Sequence, residues 1–353
     1  MAKVLYGVMG NTNGHIMRTL SLINRMPEHE FHLVAGGRVI DVNNDRYPLL
    51  QVPVLHSRYK NQKLDLWGTI YQIVLRVLQI PWICWKIHKT VKRWKPDVLV
   101  SDREFFTPIY AKLTGKKCYS VDHTHILKSC DFPVPENMEK IYKLTMLNDY
   151  VLYDWTDHNF IVSFFQPPLK QRRGITDELF GAVVRPELAQ FTASAKEHVF
   201  VYMTTPNFPG LMRVLQQLSR PVICYGAGRE GVEGNITFRG YSNTQILEDL
   251  ASCHYAVVNG GHNLISEALH FGKPVMCFPI NGAIEQYINV HFIRKLNYGD
   301  YTYSKEPELE FFESFEETSA SFKKSIASNY SEGTEDLVKR LSEVFSSHDT
   351  VAA

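Results

Sequence analysis

Residues 254–279 read HYAVVNGGHNLISEALHFGKPVMCFP. A continuous apolar run from Tyr255 to Val258 stops at Asn259 and a pair of glycines. The stretch from His262 then carries its apolar residues at helical spacing, and Gly272 and Pro274 punctuate the chain before a second apolar run, Val275 to Phe278. Two apolar runs that do not alternate with polar residues, joined by an amphipathic helix, predict parallel strands buried on both faces of a sheet.

The same alternation extends outward from this stretch. Before it lie HVFVYM from His198, a helix around Leu211 to Leu218, PVICYG, NITFRG and a helix near Ile246; after it come a helix from Ile284, an acidic stretch from Glu306 to Glu317 expected to be exposed, and a final helix from Glu335 to Phe345. Nearer the N-terminus the order is Val4 to Met9, a glycine turn, a helix to Met26, Phe31 to Ala35, a long helical region, Val98 to Ser101, another helix, and Cys118 to Val121. Between Gln166 and Glu197 the pattern loosens. The expected fold is α/β, with two Rossmann-like doubly wound domains facing a cleft: residues 1–180, a linker at 181–197, and residues 198–353. No repeat of solenoid period is visible.

With 353 residues, 44% hydrophobic and 21% charged, the chain has the length for two ordinary domains, and its composition excludes wholesale disorder, collagen and coiled coil. The formal net charge of +1 gives no argument for nucleic acid. The charge is unevenly spread, with 25 Lys and Arg against 17 Asp and Glu up to Arg185, and 13 against 20 beyond it. A basic front half suits an anionic substrate or membrane surface, and ordinary surface variation accounts for it equally well. The six cysteines (84, 118, 130, 224, 253, 277) include no CxxC pair, and the N-terminus runs directly into a strand, so a reduced, cytoplasmic protein is expected.

The longest apolar stretch, Leu66 to Trp85, contains Gln72, Arg76, Gln79 and Pro81 and does not read as a bilayer span. Its helical period is broken at Pro81, where a kink or a restart is expected. It ends in Lys86, Lys89, Lys92, Arg93 and Lys95 beside tryptophans. Region 66–95 could rest peripherally on an anionic membrane, or be a core helix with a solvated basic face.

Chemistry-bearing residues gather at predicted strand ends. Gly10, Asn11, Thr12, Asn13, Gly14 and His15 follow the first strand, with Arg18 one turn into the helix. The spacing is not GxGxxG, since His15 occupies the place a cofactor pyrophosphate would need. The turn presents His15 to the cleft, or the histidine merely caps the helix. Asp102 ends a strand of the same sheet, where it can reach a ring nitrogen of His15 or cap the next helix. Asp122 and His123 follow another strand and are expected to line the cleft beside Gly14 and Arg18. The HxH spacing of His123 and His125 has no third ligand nearby, so no metal is expected.

In the second domain, the turn at Gly260 and Gly261 brings backbone N–H groups and a helix N-terminus to one point, an anion site to which Asn259, His262 and Asn263 can add donors. Glu267, a turn further on, is at the reach of two ribose hydroxyls or is an exposed helix carboxylate. Glu285 and Gln286 end the stretch FPINGAIEQ and suit sugar hydroxyls. The chain contains no Asp-x-Asp triplet, the usual metal clamp on a nucleotide diphosphate.

These motifs resemble those of the GT-B glycosyltransferases, especially bacterial predicted glycosyltransferases near the muramyl-pathway N-acetylglucosaminyltransferase and the UDP-glucuronosyl and plant UDP-glycosyltransferase families. YGVMGNTNGHIMR resembles their first loop, whose histidine, here His15, deprotonates the acceptor hydroxyl in inverting members. DVLVSD resembles the strand whose aspartate, here Asp102, pairs with it. Asn259 to Gln286 is similar to the plant signature that begins HCGWNS. Asn259 falls on its phosphate-binding His, Gly261 and Asn263 on its Gly and Asn, Glu267 on its ribose-binding acid, and Glu285 and Gln286 on its sugar-binding pair. Two positions depart from it: Asn259 replaces the His, and His262 occupies the tryptophan position and could meet phosphate charge instead.

The resemblance implies an inverting, metal-independent glycosyltransferase that moves a sugar from a nucleotide diphosphate sugar, UDP-linked, to a hydroxyl acceptor. The nucleotide sugar is a co-substrate and no cofactor is implied; aromatic and basic residues in region 66–95 lean toward a lipid-linked or amphipathic acceptor. A nucleotide-sugar epimerase of the same fold and a non-catalytic nucleotide-sugar-binding protein are the rival readings.

Overall fold

The computed structural model describes residues 1–11, 13–55, 59–60, 63–64, 66–203 and 209–347. The chain divides into two compact units, one made of Met1–Asp131, Lys143–Val183 and Gly333–Ala353, the other of Phe132–Tyr142 and Val184–Glu332.

The first unit is built on strands β1 (Lys3–Val8), β2 (Glu30–Ala35), β3 (Leu49–Gln51), β6 (Val98–Asp102), β7 (Cys118–Asp122), β8 (His158–Val162) and β9 (Thr176–Phe180), with a separate small hairpin of β4 (Tyr59–Lys60) and β5 (Lys63–Leu64). Its seven-stranded sheet runs β3-β2-β1-β6-β7-β8-β9 and is parallel throughout. The connecting helices are α1 (Asn13–Ile23), α2 (Val39–Asn43), α3 (Leu66–Trp94), α4 (Phe106–Leu113) and α5 (Ile126–Ser129); α6 (Glu136–Leu152) belongs to this unit only from Lys143, its start up to Tyr142 falling in the second unit rather than within the expected 1–180 domain. Strand β1 shows why the sequence reads as continuously apolar: Val4 and Tyr6 join the core on one face of the sheet, and Leu5 joins Ile83, Ile87 and Leu99 on the other.

The second unit carries β10 (Val199–Tyr202), β11 (Val222–Tyr225), β12 (Gly231–Glu233), β13 (Ile236–Arg239), β14 (Tyr255–Val258), β15 (Val275–Cys277) and β16 (Gly299–Tyr301), in the order β12-β13-β11-β10-β14-β15-β16. Only the edge strand β12 is antiparallel. Helices α7 (Pro209–Leu215), α8 (Gln245–Ser252), α9 (His262–His270), α10 (Ile284–Lys295) and α11 (Leu309–Asn329) cover the sheet, and α12 (Thr334–Ser346) ends the described chain.

Three features differ from the sequence reading. Helix α12 belongs to the first unit, because Leu337, Leu341 and Phe345, four residues apart on one face, complete the core around Val4 and Tyr6. Region 306–317 is not simply an exposed tail; it enters α11, whose Phe312 and Phe315 are buried while Glu310, Glu313 and Glu317 stay exposed. Helix α3 runs on through Pro81 for 29 residues without restarting.

In each sheet the strand order reverses beside the first strand of the unit, at β1/β6 and at β10/β14. The carboxyl ends at such switch points are where open α/β sheets receive ligands. The register sets Val8 of β1 beside Asp102 of β6.

Candidate functional site

At the first switch point the chain leaves β1 through a turn that requires glycine. A Cβ at Gly10 would lie 1.7 Å from the carbonyl oxygen of Gly36. Thr12 of this turn lies outside the described residues. Gly14, partly buried, is the second residue of α1, just before His15. His15, Arg18 and Thr19, at i, i+3 and i+4, fall on one helix face, and all three reach Asp102, which is fully buried.

The contacts are short and convergent. His15 Nδ1 lies 2.7 Å from Asp102 Oδ1. Arg18 donates from Nη2 to Oδ1 at 2.5 Å and from Nε to Oδ2 at 3.0 Å, and Thr19 Oγ1 donates to Oδ2 at 3.2 Å. Arg18 Nη2 also stands 2.8 Å from Nδ1; in the tautomer that carries its proton on Nδ1 and donates it to the carboxylate, the lone pair of the imidazole is on Nε2. The His15 side chain keeps 16% of its surface exposed, against 4% for Arg18.

Three residues expected to line an opening are instead buried and paired. Arg18 is sequestered by Asp102. Burial alone would lower its pKa, and the charge and hydrogen bonds of Asp102 raise it above the ordinary arginine value. Asp122 is 1% exposed, 2.6 Å from His125 Nδ1, and accepts the His125 backbone N–H at 2.8 Å. Burial pushes its carboxyl up, but the His125 ring, the hydrogen bonds to it and Arg18 hold it far below the usual carboxylate range. His123, also 1% exposed, donates from Nδ1 to the Val162 carbonyl at 2.8 Å. A buried polar side chain must find a partner inside the protein, and these three find theirs there.

At the second switch point β14 passes into α9. Asn259 is buried and donates from Nδ2 to the Phe278 carbonyl at 3.2 Å. Gly260 has φ +101°, and a Cβ there would lie 3.0 Å from Val290 Cγ1. Its carbonyl accepts a hydrogen bond from Asn289 Nδ2 at 3.0 Å. Gly261 is the N-cap of α9 and is exposed, so no side chain caps the helix start. His262 is buried with Nδ1 3.5 Å from Asn263 Oδ1, and Asn263 itself is half-buried.

Glu267 is not an exposed helix carboxylate. It is 6% exposed, and Arg185 grips it with Nε and Nη2, each 2.7 Å from a carboxylate oxygen. Burial pulls the Arg185 pKa down, and Glu267 more than restores it. Each Glu267 oxygen keeps a lone pair beyond those used by Arg185. On α10, Gln286 Oε1 accepts the Ile280 N–H at 2.8 Å, and Glu285 stands partly exposed in the first turn. Arg185 and Asn289 were not singled out in the sequence. Neither belongs to a local motif; Arg185 lies 82 residues from the carboxylate it holds.

An open cavity of about 430 Å³ lies at the carboxyl end of β13, lined by Phe238, Arg239, Gly240 and Tyr241 together with Glu230 and Val232. Strands β11 and β10 separate β13 from β14, so this cavity is distinct from the α9 turn.

The pattern that defines glycosyl transferase family 1 matches residues 2–318. The chain belongs to that family. It is 25% identical over 353 residues to an uncharacterized glycosyltransferase of Methanosarcina mazei and 26% identical over 345 residues to one of Methanosarcina acetivorans, with 87% of each chain covered in both comparisons. Among solved structures it is similar to Phytolacca americana UGT2 complexed with UDP-2fluoro-glucose and pterostilbene, with a TM-score of 0.72 at 10% identity over 98% of this chain and 100% of that one. It is also similar to Acinetobacter baumannii MurG, with a TM-score of 0.63 at 11% identity over 97% and 100% of the two chains. This family 1 enzyme is a glycosyltransferase with the GT-B fold.

Proposed function

We propose that the enzyme transfers a sugar with inversion from a UDP-linked donor to a hydroxyl acceptor, using His15 as general base and no metal. The observation that carries this reading is the 2.7 Å contact between His15 Nδ1 and the buried carboxylate of Asp102. In the proposed step His15 Nε2 takes the proton of the acceptor hydroxyl while that oxygen forms its bond to the anomeric carbon. The bond from the anomeric carbon to the phosphate oxygen breaks, and its electron pair leaves with the nucleoside diphosphate. General-base assistance of this kind contributes roughly 10² to 10⁴ in rate. Asp102 holds the ring tautomer and steadies the imidazolium that forms.

The donor half of the reading rests on the α9 turn. The N–H groups following Gly260 and Gly261 would receive the diphosphate, with Asn259, His262 and Asn263 around them. A helix dipole contributes only about 0.3–1 kcal/mol, so side-chain donors must add to it. Glu267 would take the ribose hydroxyls on its remaining lone pairs, and Glu285 and Gln286 the sugar. Negative charge on the leaving group would be met by these donors rather than by a metal, in keeping with the missing Asp-x-Asp triplet.

For the acceptor, we propose a lipid-linked or amphipathic molecule met by a cytoplasmic enzyme at an anionic membrane surface. Helix α3 buries Ile83 and Ile87 but exposes Leu78, Trp82 and Trp85. Lys86 Nζ and Lys89 Nζ stand 3.7 and 3.6 Å from the centroids of the Trp82 and Trp85 rings. Cations over interfacial tryptophans suit a lipid headgroup layer. Among the described residues no helix is long and apolar enough to cross a membrane.

The test combines a thermal-shift panel of nucleoside diphosphates with analysis of the product. UDP at a hundredfold excess over its Kd should stabilise by about 2.7 kcal/mol, and an α-linked donor should give a β-linked product by NMR. Retained configuration would overturn the inverting mechanism. Isomerised sugar nucleotide formed from donor alone would point to the epimerase instead.

A further inference from the structure

We propose that Arg18 is a positioning residue for the base: it fixes the Asp102 carboxylate through both oxygens and takes up part of its charge, so that His15 stays uncharged until the acceptor's proton arrives. The inference rests on His15 being the base.

The geometry supplies the argument. Four donors converge on Asp102, with Arg18 Nη2 and His15 Nδ1 on Oδ1, and Arg18 Nε and Thr19 Oγ1 on Oδ2. A carboxylate held on both oxygens by one planar guanidinium cannot rotate, and this fixes the direction in which it receives the imidazole. The decisive distance is the 2.8 Å between Arg18 Nη2 and His15 Nδ1. When Nδ1 carries its proton both groups are donors, and a guanidinium does not give up its proton. An imidazolium would therefore form against a permanent positive charge.

Asp102 and Arg18 act on His15 in opposite senses. A carboxylate alone beside a histidine favours the imidazolium, and an opposite charge at such range commonly moves a titration by about 1–3 pH units. Arg18 offsets part of this attraction while leaving Asp102 as the hydrogen-bond acceptor. Among the described residues, the other charged or titratable groups acting on Arg18 are Tyr6 on β1 and Asp122 at the end of β7, which has His125 against it. Asp122 acts on Arg18 from β7 and is itself occupied by His125, so it does not release Arg18 from Asp102. The consequence is a carboxylate held in place by a fixed guanidinium while it accepts from the ring.

The experiment compares wild type, Arg18→Gln and Arg18→Lys by two readouts: NMR titration of the His15 ring in the free protein, and the pH profile of kcat/KM. In Arg18→Gln the His15 titration should move up, because a positive charge 2.8 Å from the ring is gone. The acid limb of the profile should move with it, and the plateau should fall at least tenfold. Arg18→Lys keeps the charge but not the two-pronged grip, so the limb should stay in place while the plateau falls. An unmoved His15 titration in Arg18→Gln overturns the proposal with the base intact. A moved titration with an unmoved acid limb instead removes His15 as the base, and the proposal with it. Should Arg18→Gln not fold, Arg18→Lys decides, since an unchanged plateau in that variant overturns the positioning role.

Discussion

The two strand-to-helix junctions, β1–α1 and β14–α9, use the same device to different ends. Each follows a glycine turn, and each has a buried carboxylate gripped on both oxygens by an arginine: Asp102 by Arg18 in one unit, Glu267 by Arg185 in the other. At the first junction a histidine shares the carboxylate as well. At the second no histidine contacts it among the described hydrogen bonds; the junction offers an exposed glycine N-cap and backbone N–H groups instead. Arg18 holds both oxygens of Asp102 by itself, so His15 is a partner surplus to that grip. A second ionisable partner on a carboxylate already held by an arginine is a reason to look for chemistry there, whereas at Glu267 the arginine is the one charged partner among the described residues, and it leaves a lone pair on each oxygen.

The largest effect should come from removing that surplus partner. His15→Ala should lower the transfer rate by roughly 10²- to 10⁴-fold, about 3–5 kcal/mol of barrier. Because Arg18 still pairs with Asp102, unfolding stability should change by less than about 1 kcal/mol, and the thermal response to UDP should persist. Unchanged turnover would remove His15 from the mechanism. A large loss of stability would break the comparison itself.

The opposite pattern is expected at the second junction. Glu267→Ala strands Arg185 as a buried unpaired charge, which typically costs about 3–5 kcal/mol, measurable by denaturant unfolding. It should also weaken nucleotide binding. The double variant Glu267→Leu with Arg185→Met replaces the pair by apolar side chains and should recover most of the stability. If it recovered nucleotide binding too, Glu267 would have no part in holding ribose.

How much of this was legible in the chain follows from what each residue depends on. The link between His15 and Asp102, 87 residues apart, could be anticipated because parallel strands of one sheet bring their carboxyl ends together. The glycine turns could be read because backbone geometry restricts which residues occupy them. The arginines were harder to place. Arg18, one turn into a helix, was expected to line the cleft, and only the packed structure shows that it pairs with Asp102. The same holds for α12: its amphipathic period is clear, but nothing local says which core it completes. Strand β3 is a short edge, β9 a polar edge inside the loosened stretch, and β8 lies between Cys118–Val121 and that stretch; none of the three was singled out, whereas the interior strands β1, β6 and β7 were.

The smallest effect separates backbone from side-chain contributions at the second junction. Gly260 has φ +101°, a conformation L side chains rarely adopt, and a Cβ there would meet Val290 Cγ1 at 3.0 Å. Gly260→Ala should therefore cost about 1–3 kcal/mol of stability through strain, without touching Arg185, Glu267 or any charge. If the backbone N–H groups of this turn hold the diphosphate, the variant should weaken UDP binding by more than it weakens binding of uridine, because only the former places charge on the turn. His15 and its neighbours are untouched, so the acid limb of the pH profile should stay where it is. Equal weakening of both ligands would mean that the turn only shapes α9, and would shift the anion-binding role to His262 and Asn263. The difference between the two junctions would then lie in their side chains alone.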